Sequence, residues 1–273
     1  MLAPAFGPAW RKTGSAQDGH CPRMDWQPDA ALTLSLIIVF LAAIVRGFSG
    51  FGFSLLAISA LSLVYPPQEI FPPIFLMEIV ASLHLLPSVW RHIHWRSLAP
   101  LLVGATVGTP IGVWFLSTLP APPMQIALGI FVLLAVSLMW VGYSFRGMPG
   151  TTMTTAAGFA AGVANGAFGI GGPPVILFYF ASPAGAAAGR ASLVMFFLAL
   201  DVIGLAFMSG MADLVGKDTL VRAALYLPAL LAGIWVGGHA FRKVDETRFR
   251  KAVLVLLAVL AVLIIAKATA AIT

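Results

Sequence analysis

Apolar residues in this chain come in runs of unequal length. They fall at about 31–46, 53–64, 70–90, 98–118, 124–142, 154–165, 174–181, 190–209, 220–241 and 251–267, separated by short breaks of proline, glycine or charge. Several runs suit a helix crossing about 30 Å of hydrocarbon, which takes about 20 residues at roughly 1.5 Å each. Ala31–Arg46 reaches only about 24 Å on that rise, and Phe53–Val64 and Thr154–Asn165 about 18 Å each. The short runs flank glycine clusters. The pattern predicts an all-α polytopic membrane protein in which half-helices meet at unwound hinges. Such broken backbone is tolerated in lipid only where protein or a water-filled cavity satisfies it.

The pattern also repeats. Gly47-Phe-Ser-Gly50-Phe-Gly52 and Gly166-Ala-Phe-Gly169-Ile-Gly171 both read G-x-x-G-x-G at a constant offset of 119. Leu76-Met-Glu78-Ile-Val80 resembles Ala199-Leu-Asp201-Val-Ile203 at an offset of 123, and Gly108-x-x-x-Gly112 matches Gly233-x-x-x-Gly237 at 125. The same order in both halves indicates a duplication, with a disordered tail at 1–30, a first transmembrane repeat at 31–145 and a second at 150–267. Met24, just before the first apolar run, offers an alternative start. Each repeat is expected to hold one broken or re-entrant half-helix pair and three membrane helices, which makes an odd number of crossings. The second repeat is then inverted relative to the first, an arrangement recurrent in transporters.

Composition narrows the class further. Of 273 residues 60% are hydrophobic and 10% charged, against roughly 25% charged in soluble domains. So few charges exclude a soluble enzyme and a nucleic-acid binder, and the lone Cys21 excludes a disulfide scaffold. The net charge of +6 is read as loop charge instead. Placing Arg91, Arg96, Arg146, Arg190, Arg242, Lys243, Arg248, Arg250 and Lys251 in the cytoplasm leaves Arg11, Lys12, Arg23, Lys217, Arg222 and Lys267 outside, nine against six. The positive-inside rule then predicts a multi-pass protein of the inner (plasma) membrane with both termini outside the cytoplasm.

Candidate chemistry gathers at the glycine clusters. A helix that begins at a hinge presents unpaired N–H groups and about half a positive charge, and glycines let a ligand approach the backbone. Two such ends facing each other would bind an anion. The candidate substrate-binding residues are Arg46, Gly47, Ser49, Gly50, Gly52, Asn165, Gly166, Gly169, Gly171 and Gly172, with Ser54 nearby. Arg46 is a permanent charge in an apolar run, and its planar fork suits an oxyanion; its counterpart at the offset of 119 is Asn165. Glu78 and Asp201, one per repeat, are candidates for ion coupling, and His84 could extend a proton path. Each reading has a structural rival: glycines that only permit close packing, as for Gly104-x-x-x-Gly108-x-x-x-Gly112, Arg46 paired with a membrane carboxylate, and His84 as a packed hydrogen-bonding residue. Arg91-His92-Ile-His94-Trp95-Arg96 reads as a basic interfacial loop with a Trp anchor rather than a metal site. Gly47-Phe-Ser49-Gly50 has the form of an intramembrane serine protease motif, but the other copy carries Phe168 at the Ser49 position. No cofactor is called for.

Arg46-Gly-Phe-Ser-Gly-Phe-Gly-Phe53 and Gly162-Val-Ala-Asn165-Gly-Ala-Phe-Gly-Ile-Gly-Gly-Pro-Pro174 resemble the TauE/SafE family, the sulfite-exporter or toluene-sulfonate uptake permease group. The resemblance runs from about residue 31 to about 267. It implies a membrane transporter, not an enzyme, with duplicated, inverted halves, acting on sulfite, sulfonates or other small organic anions. It carries over to the two clusters with Arg46 and Asn165; Glu78 and Asp201 rest on the repeat alignment alone. The expected function is a secondary transporter of a small anion, its partners being that substrate, membrane lipid and a coupling proton or sodium ion. A passive anion channel and a serine protease using Ser49 are the alternatives.

Overall fold

A computed structural model describes residues 30–141, 150–181, 186–240 and 246–271. The expected tail with Met24, together with Arg146, Arg242 and Lys243, falls outside the described residues. The chain forms α1 (Ala30–Ser49), α2 (Phe53–Leu61), α3 (Pro67–Val89), one 3-10 turn (Trp90–His92), α4 (Trp95–Thr118) and α5 (Ala121–Val141). It continues as α6 (Thr151–Phe168), α7 (Gly172–Ala181), α8 (Ala186–Ala212), α9 (Lys217–Ala240) and α10 (Glu246–Ala270). No strand occurs among the described residues. Among the described residues seven helices are long and apolar enough to cross a membrane: α1, α3, α4, α5, α8, α9 and α10.

The order of one long helix, one short and three long runs twice, with short α2 of 9 residues and α7 of 10. The first helix of each set is longer than its apolar run suggests. α1 has 20 residues and α6 has 18, about 30 and 27 Å at the usual rise. A glycine ends a helix only where it turns left-handed, and that happens late in each cluster. Gly50 takes φ 82° and Gly169 φ 68°, and their N–H groups donate to the carbonyls of Arg46 at 2.7 Å and Asn165 at 2.8 Å. Such a terminus closes the last turn with a residue only glycine adopts cheaply. Arg46 and Asn165 therefore sit inside the last turns of α1 and α6, and each break shrinks to three residues, 50–52 and 169–171.

Lipid tails are as apolar as the side chains, so helices here associate through close contact rather than by escaping water. Glycines provide that closeness. Along the α4–α6 seam Gly104, Gly108 and Gly112 face the backbones of Thr155, Phe159 and Val163, while Gly158, Gly162 and Gly166 face Leu101, Ala105 and Thr109. The α1–α9 seam uses the same device: Gly233 and Gly237 face Phe40 and Ile44, and Gly47 faces Ile234. Further pairs are α3 with α8 and α5 with α10, so every one of these four pairings joins a helix of one half to a helix of the other. The short α2 lies inside with Phe53, Ile58 and Leu61 fully buried. The outer faces carry Leu41, Val107, Trp114, Leu138 and Val259, as contact with acyl chains requires.

A side chain at Gly162 would run into the Ala105 carbonyl, whereas Gly210 of α8 faces open space. Gly162→Val is expected to cost on the order of 3 kcal/mol or more, because backbone has to move. Gly210→Ala should hold or raise the melting temperature, since alanine gains about 1 kcal/mol of helix propensity. Thermal unfolding in detergent, followed by tryptophan fluorescence, compares the two.

Candidate functional site

Both breaks are fastened by side chains from the helix before them and the long helix after them. In the first half Arg46, fully buried in α1, reaches across to α3. Its Nη1 lies 2.6 Å from Glu78 Oε2, and its Nη2 donates to Ser82 Oγ at 2.7 Å. The other Glu78 oxygen accepts the Ser54 backbone N–H, at 3.0 Å. That N–H belongs to the first turn of α2, where helical backbone has no internal acceptor. One carboxylate thus pairs with a guanidinium and caps a helix N-terminus together.

The second half repeats the layout with weaker groups. Asn165 of α6 is buried, and its Nδ2 donates to Asp201 Oδ1 of α8 at 3.4 Å. Its Oδ1 accepts the Gly171 N–H at 3.2 Å, just before α7. Here the amide caps the short helix and the carboxylate receives the amide. The packing of α3 on α8 brings the halves together, so that Asp201 lies within electrostatic reach of both Glu78 and Arg46. Five buried polar side chains, Arg46, Glu78, Ser82, Asn165 and Asp201, form one cluster between the two breaks.

Its charge count sets its chemistry. With both carboxylates ionised the cluster holds one cation and two anions, a net charge of −1. A proton on either carboxyl makes it neutral, and a proton on each makes it +1. Among the described residues buried Arg46 Nε has no hydrogen-bond partner, and an unmet buried donor costs about 1–3 kcal/mol, more when charged. The cluster therefore keeps at least one guanidinium N–H without an acceptor among the described residues.

The remaining expected residues spread over several roles. Gly47 and Gly166 abut the backbones of Ile234 and Thr109 at the helix seams, while Gly50, Gly52 and Gly169 take the positive φ of the breaks. Gly171 is held against Leu200 and Asn165, and Gly172 opens α7. The Ser49 side chain lies outside the described residues. His84 is exposed on α3, away from the buried cluster. No group of three or more metal-ligating residues gathers among the described residues. In the Arg91–Arg96 loop, His94 is held at the start of α4 by hydrogen bonds to Ser192 and Ser97, and Trp90 and Trp95 meet edge to face at 5.3 Å. Two residues escape a reading of motifs alone. Ser82 stands four residues after Glu78, one helical turn along the same face, a spacing that signals a shared partner. Arg190, counted among the loop cations, instead places Nε 2.6 Å from where a Gly50 Cβ would lie. Its signal was the interval to Asp201: eleven residues are close to three turns, so both share one face of α8.

Comparison with known proteins now bears on this geometry. The model of the sulfite exporter TauE/SafE family matches residues 35–264. The chain belongs to the TauE/SafE family. It is therefore a multi-pass membrane transporter and not an enzyme. It is 26% identical over 192 residues to the probable inner membrane transporter protein TsaS of Comamonas testosteroni, covering 67% of this chain and 77% of that protein. It is also 26% identical over 199 residues to the probable sulfite/organosulfonate exporter TauE of Cupriavidus necator, covering 71% of this chain and 76% of that one. No solved structure matches this TauE/SafE chain significantly.

Removing one partner of a buried ion pair leaves the other charge uncompensated, at about 3–5 kcal/mol, whereas replacing both is close to neutral. Glu78→Ala should accordingly unfold at a far lower temperature than the parent. The double variant Arg46→Met with Glu78→Gln, which keeps an acceptor for Ser54 N–H, should regain most of the loss. Calorimetry of the two variants in the same detergent is the check.

Proposed function

We propose that this TauE/SafE transporter carries a small sulfur oxyanion, sulfite or a sulfonate, across the inner membrane through the cluster between the two breaks, and that a proton moves with it. The observation that carries the reading is Arg46: a fully buried guanidinium whose Nε has no partner among the described residues, held beside the N-terminus of α2 by the Glu78 carboxylate. Protonating Glu78 would release Arg46 and the Ser54 N–H together. A planar guanidinium beside backbone N–H groups suits the oxygens of a sulfonate or sulfite. The name of one relative, the probable sulfite/organosulfonate exporter TauE, agrees with that chemistry. Asp201 and Asn165 supply the facing wall, and Asp201 is the second proton acceptor.

The matched order of elements, with each half closing on the other through equivalent helix pairs, supports two repeats at 31–145 and 150–267 in inverted orientation. Rocking of the halves about the fixed cluster then gives alternating access. On that arrangement both termini lie outside the cytoplasm, as the loop charges favour.

Proteoliposomes made with the purified chain test the proposal with sulfite, sulfoacetate, taurine, sulfate and acetate, with and without a proton gradient. Saturable flux of a sulfur oxyanion that increases with the gradient is expected. Arg46→Ala should lower it at least a hundredfold, and Asp201→Asn should remove its dependence on the gradient while leaving downhill exchange. Flux linear in concentration would replace the carrier by a channel, and no flux of any anion would overturn the substrate class.

A further inference from the structure

The cluster between the breaks sets one cation against two carboxyl groups, so a second cation beside it would favour an approaching anion. Arg190 is such a cation. It lies in the first turns of α8, and its guanidinium covers the first break: a Cβ on Gly50 would sit 2.6 Å from Nε and 3.1 Å from Nη2. Glycine at position 50 thus serves both the φ of 82° and the seating of this side chain. The ion pairs among the described residues are Arg46–Glu78 and Arg222–Glu69, so no carboxylate there neutralises Arg190. The side chain is half-buried and lines a cavity of about 320 Å³ with Leu85, Ser88, Val89, His92 and Val194, between the end of α3 and the start of α8.

The second break is different. There Gly169 is covered by Ile58, Phe71 and Phe75, all apolar and the three of them fully buried. One break is closed by hydrocarbon, and the other is roofed by a cation facing a cavity.

We propose that the α3–α8 cavity is a peripheral anion-binding station in which Arg190, with the His92 ring beside it, takes a small sulfonate or related oxyanion before it passes the Gly50 break toward Arg46. The inference rests on the anion reading of the transporter and adds a first contact to it. His92 and Ser88 are both exposed to the cavity mouth, and Ser88 Oγ spends its proton on the Leu85 carbonyl, 2.7 Å away. Arg190 is thus the charge that selects.

The test reads local potential directly. Ser88→Cys is made on a Cys21→Ser background in the full chain, reconstituted in liposomes, and labelled with two thiol reagents of similar size, an anionic sulfonatoethyl and a cationic trimethylammonioethyl methanethiosulfonate. The anionic reagent is expected to react faster. Arg190→Gln should cut the anionic-to-cationic rate ratio about tenfold, as loss of one unit charge a few ångströms away requires, while Arg190→Lys should keep it. Sulfoacetate should slow labelling with Arg190 or Lys at the position and not with Gln. A ratio that Arg190→Gln leaves unchanged overturns the station. Sulfoacetate flux is measured on the Ser88 parent alongside. Flux without an Arg190-dependent ratio refutes this inference alone, whereas an Arg190-dependent ratio without flux of any anion upholds the station and refutes the transport substrate.

Discussion

Backbone that leaves the α-helix inside hydrocarbon must give its N–H groups to some other acceptor, since no water is there to take them. Both breaks in this transporter meet that demand with a side chain: Glu78 for Ser54 N–H and Asn165 for Gly171 N–H. The choice of acceptor then propagates. A carboxylate at the first break needs a cation, which is Arg46, and the desolvation of that pair is offset only with close geometry and further hydrogen bonds, here to Ser82 and from Ser54 N–H. A neutral amide at the second break needs only a hydrogen-bond acceptor, which is Asp201. The polar centre of the protein thus follows from how two short helices are started.

Close packing keeps that centre in place. Arg46 and Asn165 lie in the last turns of α1 and α6, and those helices are the ones laid backbone to backbone against α9 and α4. The glycine stripes and the polar cluster are parts of one device. Gly47 and Gly166 fit the seam, the residues immediately before them carry the polar side chains, and the glycines three positions later end the helix. A shift of one turn along either seam would remove Arg46 from Glu78 or Asn165 from Asp201.

The two halves share a layout and differ in charge. Arg46 and Glu78 make the first break charged, and the Arg190 guanidinium lies over Gly50 there. At the second break a neutral amide does the capping, and Ile58, Phe71 and Phe75 cover Gly169 with hydrocarbon. The same backbone device is thus set in two unlike electrostatic surroundings.

Much of this was legible in the chain before any coordinates. Unequal apolar runs revealed the long and short helices, because hydrocarbon thickness fixes the length a helix needs. The repeated G-x-x-G-x-G marked both breaks, because only glycine takes the left-handed turn without strain. The offsets of 119 and 123 aligned Arg46 with Asn165 and Glu78 with Asp201, and the members of each pair stand in corresponding elements, α1 and α6, α3 and α8. What the chain could not reveal is which groups meet. Whether a hinge N–H stays free or is capped depends on a carboxylate 24 residues away, and Ser82 and Arg190 enter the site only through the contacts of α3 and α8. Local pattern determines where a helix starts, breaks and spans; tertiary packing decides which buried charges share a partner, because electrostatic pairing acts across space and leaves no period in the sequence.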